Sequence, residues 1–177
     1  MPLRRAPIRT IAIVGLRGCG KSGLGRGVAK ELGLPYFDQD KVVERLAGVS
    51  PRELVRLNGW EDFRTRELAA FEWVCDTTRA FVFATGSGFP IYNGRKELSR
   101  LSEVIYLRAS AEYLWDQFMA ASDRPDLTSM GGGREDIARI FSERDPIYQR
   151  VATSVLDASE PDIELVRKAI SLPGVKV

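Results

Sequence analysis

Residues 15–22 read GLRGCGKS, and the apolar residues 11–14 lead into them as a buried β-strand would. The octet has the spacing GxxxxGKS, in which glycines let backbone N–H groups form a concave nest for phosphate oxygens. Lys21 of such a loop can reach the β and γ phosphates, and the Ser22 hydroxyl can ligate Mg²⁺. The residues that follow predict a helix, ending at Leu32, whose N-terminal dipole faces the same phosphates. The residues that we assign to nucleotide binding in this segment are Gly15, Gly18, Cys19, Gly20, Lys21, Ser22 and Gly23.

The composition is that of an ordinary globular protein. The 177 residues are 44% hydrophobic and 28% charged, with a formal net charge of +2. We therefore expect one domain over residues 1–177, with no polycationic surface for nucleic acid. The basic opening MPLRRAPIRT lacks the apolar segment of a signal peptide, and no apolar run is long enough for a membrane span. Two cysteines, Cys19 and Cys75, are too few for a disulfide scaffold and predict a reducing, cytoplasmic location.

The sequence contains no histidine. This excludes histidine-based catalytic triads, zinc sites with imidazole ligands and a histidine general base. A general base in this protein is therefore expected to be a carboxylate.

Short apolar runs alternate with amphipathic segments along the chain. The predicted strands are residues 11–14, 35–37, 80–84, 104–107 and 155–157. The predicted helices are residues 24–32, 41–47, 51–57, 61–76 and 111–119, with a last one between Pro161 and about residue 172. This order predicts an α/β fold, a three-layer sandwich around a central parallel sheet with right-handed crossovers.

Residues 120–133, AASDRPDLTSMGGG, interrupt the alternation, because proline and three consecutive glycines do not favour a packed element. One interpretation is a linker or disordered loop. The other is a mobile lid that closes over a nucleotide, and Arg124 in this segment suits that role.

The kind of phosphate-loop protein can be narrowed from motifs that are absent. The sequence has no NKxD motif, which GTPases use to read guanine. The third and fourth strands end in Thr85 and Arg108, not in the aspartate with which a motor-type ATPase holds its metal. Small-molecule kinases remain the class that fits.

Two carboxylates follow the second strand, in the sequence Phe37-Asp38-Gln39-Asp40. The C-terminal ends of strands are where open α/β sheets bind ligands. If Asp38 faces the metal, Asp40 can face the acceptor hydroxyl and deprotonate it. A plainer interpretation is that Asp40 caps a helix starting at Lys41, and both roles can hold together.

The chain resembles the shikimate kinase family over residues 11–172. The motifs occur in the family's order: GLRGCGKS, LGLPYFDQD, GWEDFRTRE, ATGSG, DRPDL and RDPIYQRVAT. The resemblance implies a P-loop NTPase fold like that of nucleoside monophosphate kinases, with substrate-binding helices at about residues 40–76 and a mobile lid at about 120–133. It implies transfer of a phosphoryl group from ATP, with Mg²⁺, to the 3-hydroxyl of shikimate in aromatic amino acid biosynthesis. The expected partners are ATP and shikimate, without nucleic acid or membrane, and we expect a monomer.

The resemblance also implies roles for single residues. Asp38 and Ser22 would organise Mg²⁺, while Asp40 would contact the substrate and act as the base. Arg64 and Arg144 would bind the substrate carboxylate, because planar guanidinium groups suit bidentate carboxylate binding. Outside this motif context, each arginine would instead be assigned to a surface ion pair.

The remaining implied roles belong to backbone and lid. Gly86, Ser87 and Gly88 would present N–H groups to the substrate and the phosphate. Arg124 would fold over the transferred phosphoryl group and spread its charge in the transition state, completing a catalytic set with Asp40 and Lys21.

The chain departs from the family pattern at a few positions, which are Gly23, Ser87, Asp116, Gln117 and Asp126. Serine replaces the middle glycine of a run that is usually three glycines, and would be strained at a positive φ. Glycine replaces a second hydroxyl after the loop serine, which weakens the helix start and removes a phosphate contact. Asp116 and Gln117 stand where an arginine often contacts adenine, and Asp126 adds a negative charge to the lid. We therefore expect these departures to affect the affinity for adenine and the fit of the acceptor more than other properties.

Two other functions are compatible with these motifs. A gluconate kinase would share the phosphate loop and the architecture, although Arg64 and Arg144 fit the shikimate pattern better. A ligand-sensing module without turnover, like those in regulators of aromatic-compound degradation, would normally follow a DNA-binding helix-turn-helix region. Only about ten residues precede the first predicted strand, so we expect an enzyme.

Overall fold

A five-stranded parallel sheet forms the centre of the described part of the protein. The structure, a computed structural model, describes residues 9–120 and 133–176. The strands are β1 (Thr10–Val14), β2 (Tyr36–Asp38), β3 (Phe81–Ala84), β4 (Glu103–Arg108) and β5 (Ser154–Asp157). They are ordered β2-β3-β1-β4-β5, and each neighbouring pair is parallel. The predicted parallel sheet with flanking helices is confirmed, with strand limits within one residue or two of those expected.

The pairing register of the strands places the C-terminal ends of β1, β2 and β3 side by side. Ile13 of β1 lies opposite Ala84 of β3, and Asp38 of β2 lies opposite the same alanine. On the other side, Val14 pairs with Tyr106 of β4. The residues that follow β1, β2 and β3 therefore emerge at one edge of the sheet.

Eight helices flank the sheet within the described residues. They are α1 (Lys21–Leu32), α2 (Gln39–Ala47), α3 (Pro51–Thr77), α4 (Phe89–Tyr92), α5 (Gly94–Leu98), α6 (Ala111–Ala120), α7 (Arg134–Val151) and α8 (Asp162–Ile170). The segments predicted at 51–57 and 61–76 belong to one assigned helix, α3, which is interrupted by Gly59 at φ 84° and ψ 174°. The sequence pattern correctly separated two helical stretches and missed that they adjoin.

Three helices were not predicted from the sequence, namely α4, α5 and α7. The first two are short, at four and five residues, so they carry little periodic signal. The longest of them, α7, contains Pro146 in its interior, which removes a backbone donor and obscures a helical pattern.

The core lies on both faces of the sheet. Ile11, Ala12, Ile13 and Val14 are completely buried, which requires helices above and below β1. Phe71 of α3 packs against Phe83 and Phe89, with ring centroids 5.6 Å and 5.4 Å apart. Burial of this apolar surface is the main stabilising contribution to the fold.

The expected lid at residues 120–133 falls almost wholly outside the described residues, and so do Arg124 and Asp126. Within residues 9–120 and 133–176, no helix combines the length and the apolar character needed to cross a bilayer.

Candidate active site

The loop of residues 15–20 joins β1 to the first turn of α1. Gly15 has a φ of +150°, and a Cβ there would lie 2.7 Å from the Leu107 carbonyl oxygen and 2.9 Å from Cys19 Sγ. The loop thus lies against the end of β4 so closely that a side chain at this position would be excluded. Gly20, at φ 100°, precedes α1 without a side-chain cap, so the first N–H groups of α1 are available to an anion.

Lys21 and Ser22 are the first two residues of α1, and the Lys21 side chain folds back onto the loop. The Lys21 ammonium donates to the Leu16 carbonyl oxygen at 2.8 Å and lies 3.9 Å from Cys19 Sγ. Cys19 is only 2% exposed, which agrees with a small residue that fits inside the loop. The lysine is therefore held over the nest where phosphate oxygens would bind.

Ser22 is joined to the end of β2. Its hydroxyl donates to Asp38 Oδ2 at 2.8 Å, and the Tyr36 hydroxyl donates to the same oxygen at 3.3 Å. Burial raises the pKa of Tyr36 to about 12, so the phenol remains a hydrogen-bond donor. The expected metal pair, Ser22 and Asp38, is thus brought together across the sheet edge.

Asp40 lies in the first turn of α2, which begins at Gln39. It is therefore not the residue that caps this helix, and the plainer of the two sequence interpretations is wrong. Water reaches its side chain, but the surrounding protein removes enough hydration to raise its pKa, and the charge of Asp38 adds to the rise. The positive charges of Lys21, Arg17 and Arg64 act in the opposite direction. This carboxylate is accordingly within electrostatic range of both the phosphate loop and the arginine of α3.

Arg64 is held on α3 beside the glycine-rich run. Its Nη1 donates to Glu67 Oε2 at 2.5 Å, and the Glu67 side chain is 1% exposed. A Cβ on Gly88 would lie 2.6 Å from Arg64 Nη2, so the guanidinium packs directly on the backbone of that glycine. Burial raises the pKa of Glu67, while the hydrogen bond and charge of Arg64 oppose that rise.

Gln39 fixes the glycine-rich run to α3. It is completely buried, donates to the Glu67 carbonyl oxygen at 2.9 Å and accepts from the Gly86 N–H at 2.7 Å. A Cβ on Gly86 would lie 2.6 Å from Glu67 Oε1 and 3.6 Å from Asp40 Oδ1. This position requires glycine, because an added Cβ would overlap the buried Glu67 carboxylate, which is held by its ion pair with Arg64.

Arg144 reaches the same region from α7 through Tyr148. The buried Tyr148 hydroxyl donates to the Ser87 carbonyl oxygen at 2.6 Å. Burial raises the pKa of Tyr148, opposed by the charge of Arg144 and a hydrogen bond from it. Cys19 and Arg64 also act on this phenol electrostatically, so Tyr148 is within range of the phosphate loop and of the arginine of α3.

The departures at Ser87 and Gly23 are tolerated by the backbone. No described residue other than glycine has a positive φ, so Ser87 is not strained. A Cβ on Gly23 would meet nothing within 4 Å, so this glycine answers no packing requirement.

A cavity of about 490 Å³ opens where β4 and β5 end. Its lining residues are Arg108, Ser110, Tyr113, Val155, Leu156, Asp157, Ser159, Glu160 and Lys168. Asp116 and Gln117, where the family often has its adenine contact, are exposed on α6 and are not among them.

The structure thus groups the predicted residues of β2, α3, α7 and both glycine-containing loops, while Arg124 lies outside the described residues. Sequence reasoning assigned no role to Gln39, Glu67, Tyr148 or the cavity lining. Glu67 ends the FRTRE motif and Tyr148 belongs to RDPIY, so both motifs contained a signal. Gln39 and the cavity residues carried none, because tertiary packing brings them together.

A phosphate loop after the central strand of a parallel sheet, beside a cluster of acidic and basic side chains, is typical of P-loop kinases that phosphorylate small molecules. A family model described as shikimate kinase matches residues 17–172. A shikimate kinase 2 from Yersinia enterocolitica is 34% identical over 167 residues, covering 93% of this chain and 95% of the relative. The chain belongs to the shikimate kinase family, and the resemblance of its motifs is confirmed.

Solved structures agree with this assignment. The structure of a shikimate kinase from Acinetobacter baumannii in complex with shikimate has a TM-score of 0.82 and 27% identity, covering 92% of this chain and 91% of that one. A gluconokinase structure from Sinorhizobium meliloti has a TM-score of 0.63 and 20% identity, covering 95% and 91% respectively, which shows a shared fold alone.

Proposed function

We propose that this protein transfers the γ-phosphoryl group of ATP to the 3-hydroxyl of shikimate. The observation that carries the proposal is the position of Asp40, whose Oδ1 lies 3.6 Å from a Cβ built on Gly86 and whose carboxylate is within electrostatic range of Lys21 and Arg64. A donor bound at the loop and an alcohol bound beside Arg64 would therefore meet at this carboxylate.

The acceptor would be held at its own carboxylate. Arg64 and Arg144 supply two guanidinium groups near the run of residues 86–88, and Tyr148 joins Arg144 to Ser87. Charge-assisted hydrogen bonds from guanidinium groups suit a planar carboxylate in both strength and geometry. A substrate fixed there would present a hydroxyl to Asp40.

Asp40 would take the proton of that hydroxyl as the oxygen attacks the γ-phosphorus. Its raised pKa makes it a stronger base than an ordinary aspartate, and the cations of the site oppose that rise. Lys21 and the first N–H groups of α1 would stabilise the charge on the transferred group, and we assign Arg124 the same role.

The residues present fit a magnesium ion. Ser22 Oγ and Asp38 Oδ2 are 2.8 Å apart, and Mg²⁺ is commonly held by one or two protein oxygens with phosphate oxygens and water. Bound there, the ion would neutralise phosphate charge. Ser22 and Asp38 would hold it on the side of the loop facing β2.

We also propose that residues 1–177 act as one kinase domain, a monomer in the cytoplasm, with the lid at residues 120–133 covering the nucleotide. One hydrophobic cluster running from Ile11 to Val175 supports the single domain. The free thiols Cys19 and Cys75 suit a reducing compartment.

A coupled ADP-release assay with Mg-ATP and shikimate tests the activity. We expect turnover with shikimate and a kcat/KM for gluconate lower by orders of magnitude. Absence of turnover at millimolar shikimate would contradict the proposal. In that case calorimetry with shikimate and with aromatic coenzyme A thioesters identifies a sensor, since tight thioester binding without turnover is its signature.

A further inference from the structure

Tyr92 is a large aromatic residue that the core does not use. It ends α4 and remains 58% exposed, although α4 itself is anchored by the buried Phe89 and Pro90. Its ring centroid lies 4.4 Å from Arg64 Cζ, which is closer than the rings of Trp60 and Phe63. Burial in the core does not explain why this exposed ring lies against the guanidinium of a predicted substrate-binding arginine.

A second contact attaches the same segment to the same arginine. Asn93, which follows Tyr92, donates from Nδ2 to the Arg64 carbonyl oxygen at 2.7 Å. The end of α4 therefore holds both the backbone and the guanidinium of Arg64, across 29 positions of sequence. The hydrogen bond from Asn93 and the ring contact of Tyr92 therefore fix the end of α4 and Arg64 relative to each other.

The guanidinium is confined on its other sides as well. The rings of Trp60 and Phe63 lie 5.0 Å and 5.3 Å from Arg64 Cζ, and Glu67 accepts from Nη1. These contacts come from α3 itself, whereas Tyr92 comes from outside that helix. Removing the tyrosine would open one face of the guanidinium without disturbing the ion pair with Glu67.

Confinement of this kind affects ligand binding. A free arginine side chain samples many rotamers, and part of that freedom is lost when it binds a carboxylate. A ring that already holds the guanidinium plane reduces that loss. The benefit is the same before and during phosphoryl transfer, because the acceptor carboxylate is remote from the reacting hydroxyl.

We propose that Tyr92 is a positioning residue for the acceptor, acting through Arg64 to hold the guanidinium that binds the substrate carboxylate. The inference rests on the proposed function. It follows that Tyr92 governs the affinity for shikimate and KM for shikimate, and leaves kcat and KM for ATP nearly unchanged.

The test compares Tyr92→Leu, Tyr92→Phe and wild type, with Ile163→Ala as a control at another exposed apolar residue, 64% exposed on α8. Shikimate affinity is measured by calorimetry, and KM and kcat by ADP release. Tyr92→Leu should weaken shikimate binding about two- to thirty-fold, which corresponds to the about 0.5 to 2 kcal/mol that a cation–π contact contributes. Tyr92→Phe keeps the ring and should match the wild type, and the control should not differ from it.

Equal shikimate affinity in Tyr92→Leu and wild type would overturn the inference. So would a parallel rise of KM for ATP, or an equal loss in Tyr92→Phe, because neither is expected of a ring that acts on Arg64 alone. Calorimetry separates this result from the activity. A wild type that binds shikimate without turnover contradicts the proposed function while the affinities still decide the role of Tyr92, and a wild type that does not bind shikimate overturns both.

Discussion

At the scale of single residues, Asp40 combines two features that rarely occur together on a surface helix. It is reachable by solvent, yet its pKa is raised by loss of hydration and by the neighbouring Asp38. Three cations counteract this rise, and they come from the phosphate loop and from α3. The carboxylate is therefore adjusted by the same groups that would hold the two substrates.

Replacing Asp40 with asparagine should lower kcat by about 10²- to 10⁴-fold, the usual contribution of a general base. Nucleotide affinity should be retained, because Lys21 and the backbone of the loop are untouched. Steady-state kinetics and calorimetry with an ATP analogue measure the two effects. Asp62→Asn is the matched control, because it removes only an ion pair with Arg66 within α3.

The pH dependence of kcat/KM tests whether Asp40 acts as a base with a raised pKa. A base must be deprotonated, so the wild-type kcat/KM should fall as pH decreases through the raised pKa of Asp40. This acid limb should lie above the pH at which an ordinary aspartate titrates, and should be absent from Asp40→Asn. An unchanged kcat in that variant would refute Asp40 as the base.

At the scale of elements, the interruption of α3 matters for the site. Gly59 lies at φ 84° and ψ 174°, a region that only glycine adopts without strain, and it separates the first part of α3 from the part that carries Arg64. A Cβ there would meet nothing within 4 Å, so any cost of a side chain is a backbone cost. The direction in which the second part of α3 leaves this point therefore depends on one glycine.

Gly59→Ala should reduce the free energy of unfolding by about 1 to 3 kcal/mol, the cost of this backbone region for a residue with a side chain. Gly23→Ala is the matched control, since its added methyl group also meets open space but on helical backbone. That change should stabilise the protein by up to about 1 kcal/mol. Urea unfolding measures the change in the free energy of unfolding for both variants. Equal changes would show that the positive φ of Gly59 does not determine the cost of adding a side chain.

At the scale of the whole molecule, one polar cluster joins α7 to the sheet. Asp145 accepts hydrogen bonds from the Tyr106 hydroxyl and from Arg108 Nε, both at 2.8 Å, and from Gln149 at 2.7 Å. Tyr106 also packs on Tyr148, with ring centroids 5.1 Å apart. Since Pro146 interrupts the backbone ladder of α7, these side-chain contacts fix how that helix and its Arg144 lie against β4.

Asp145→Asn should lower the free energy of unfolding by about 1 to 3 kcal/mol at neutral pH, because a buried charged acceptor is lost. Burial alone would raise the pKa of Asp145, but hydrogen bonds from Arg108 and Tyr106 outweigh it and hold the pKa below the usual value. The stabilisation from this lowered pKa is fully present above the pKa of the unfolded state and is lost as pH falls through the folded one. Urea unfolding between about pH 7 and pH 3 should show the difference between variant and wild type narrowing at the acid end. A difference independent of pH would contradict this account.

The sequence by itself determined the features that rest on local physics. The octet at residues 15–22, the short apolar strands and the carboxylates after β2 could be predicted, because turn geometry, burial pattern and strand-end position are written in neighbouring residues. Helix α7 was not predicted for an equally local reason, because Pro146 in its interior disrupts the helical pattern.

Only the tertiary structure decided which distant side chains meet. Tyr148 reaches Ser87 over 61 positions of sequence and Gln39 reaches Gly86 over 47, and neither contact is encoded in a local pattern. The confinement of Arg64 by Tyr92 is of the same kind. Such contacts arise because parallel strands deliver their following loops to one edge of the sheet, where residues far apart in the chain become neighbours.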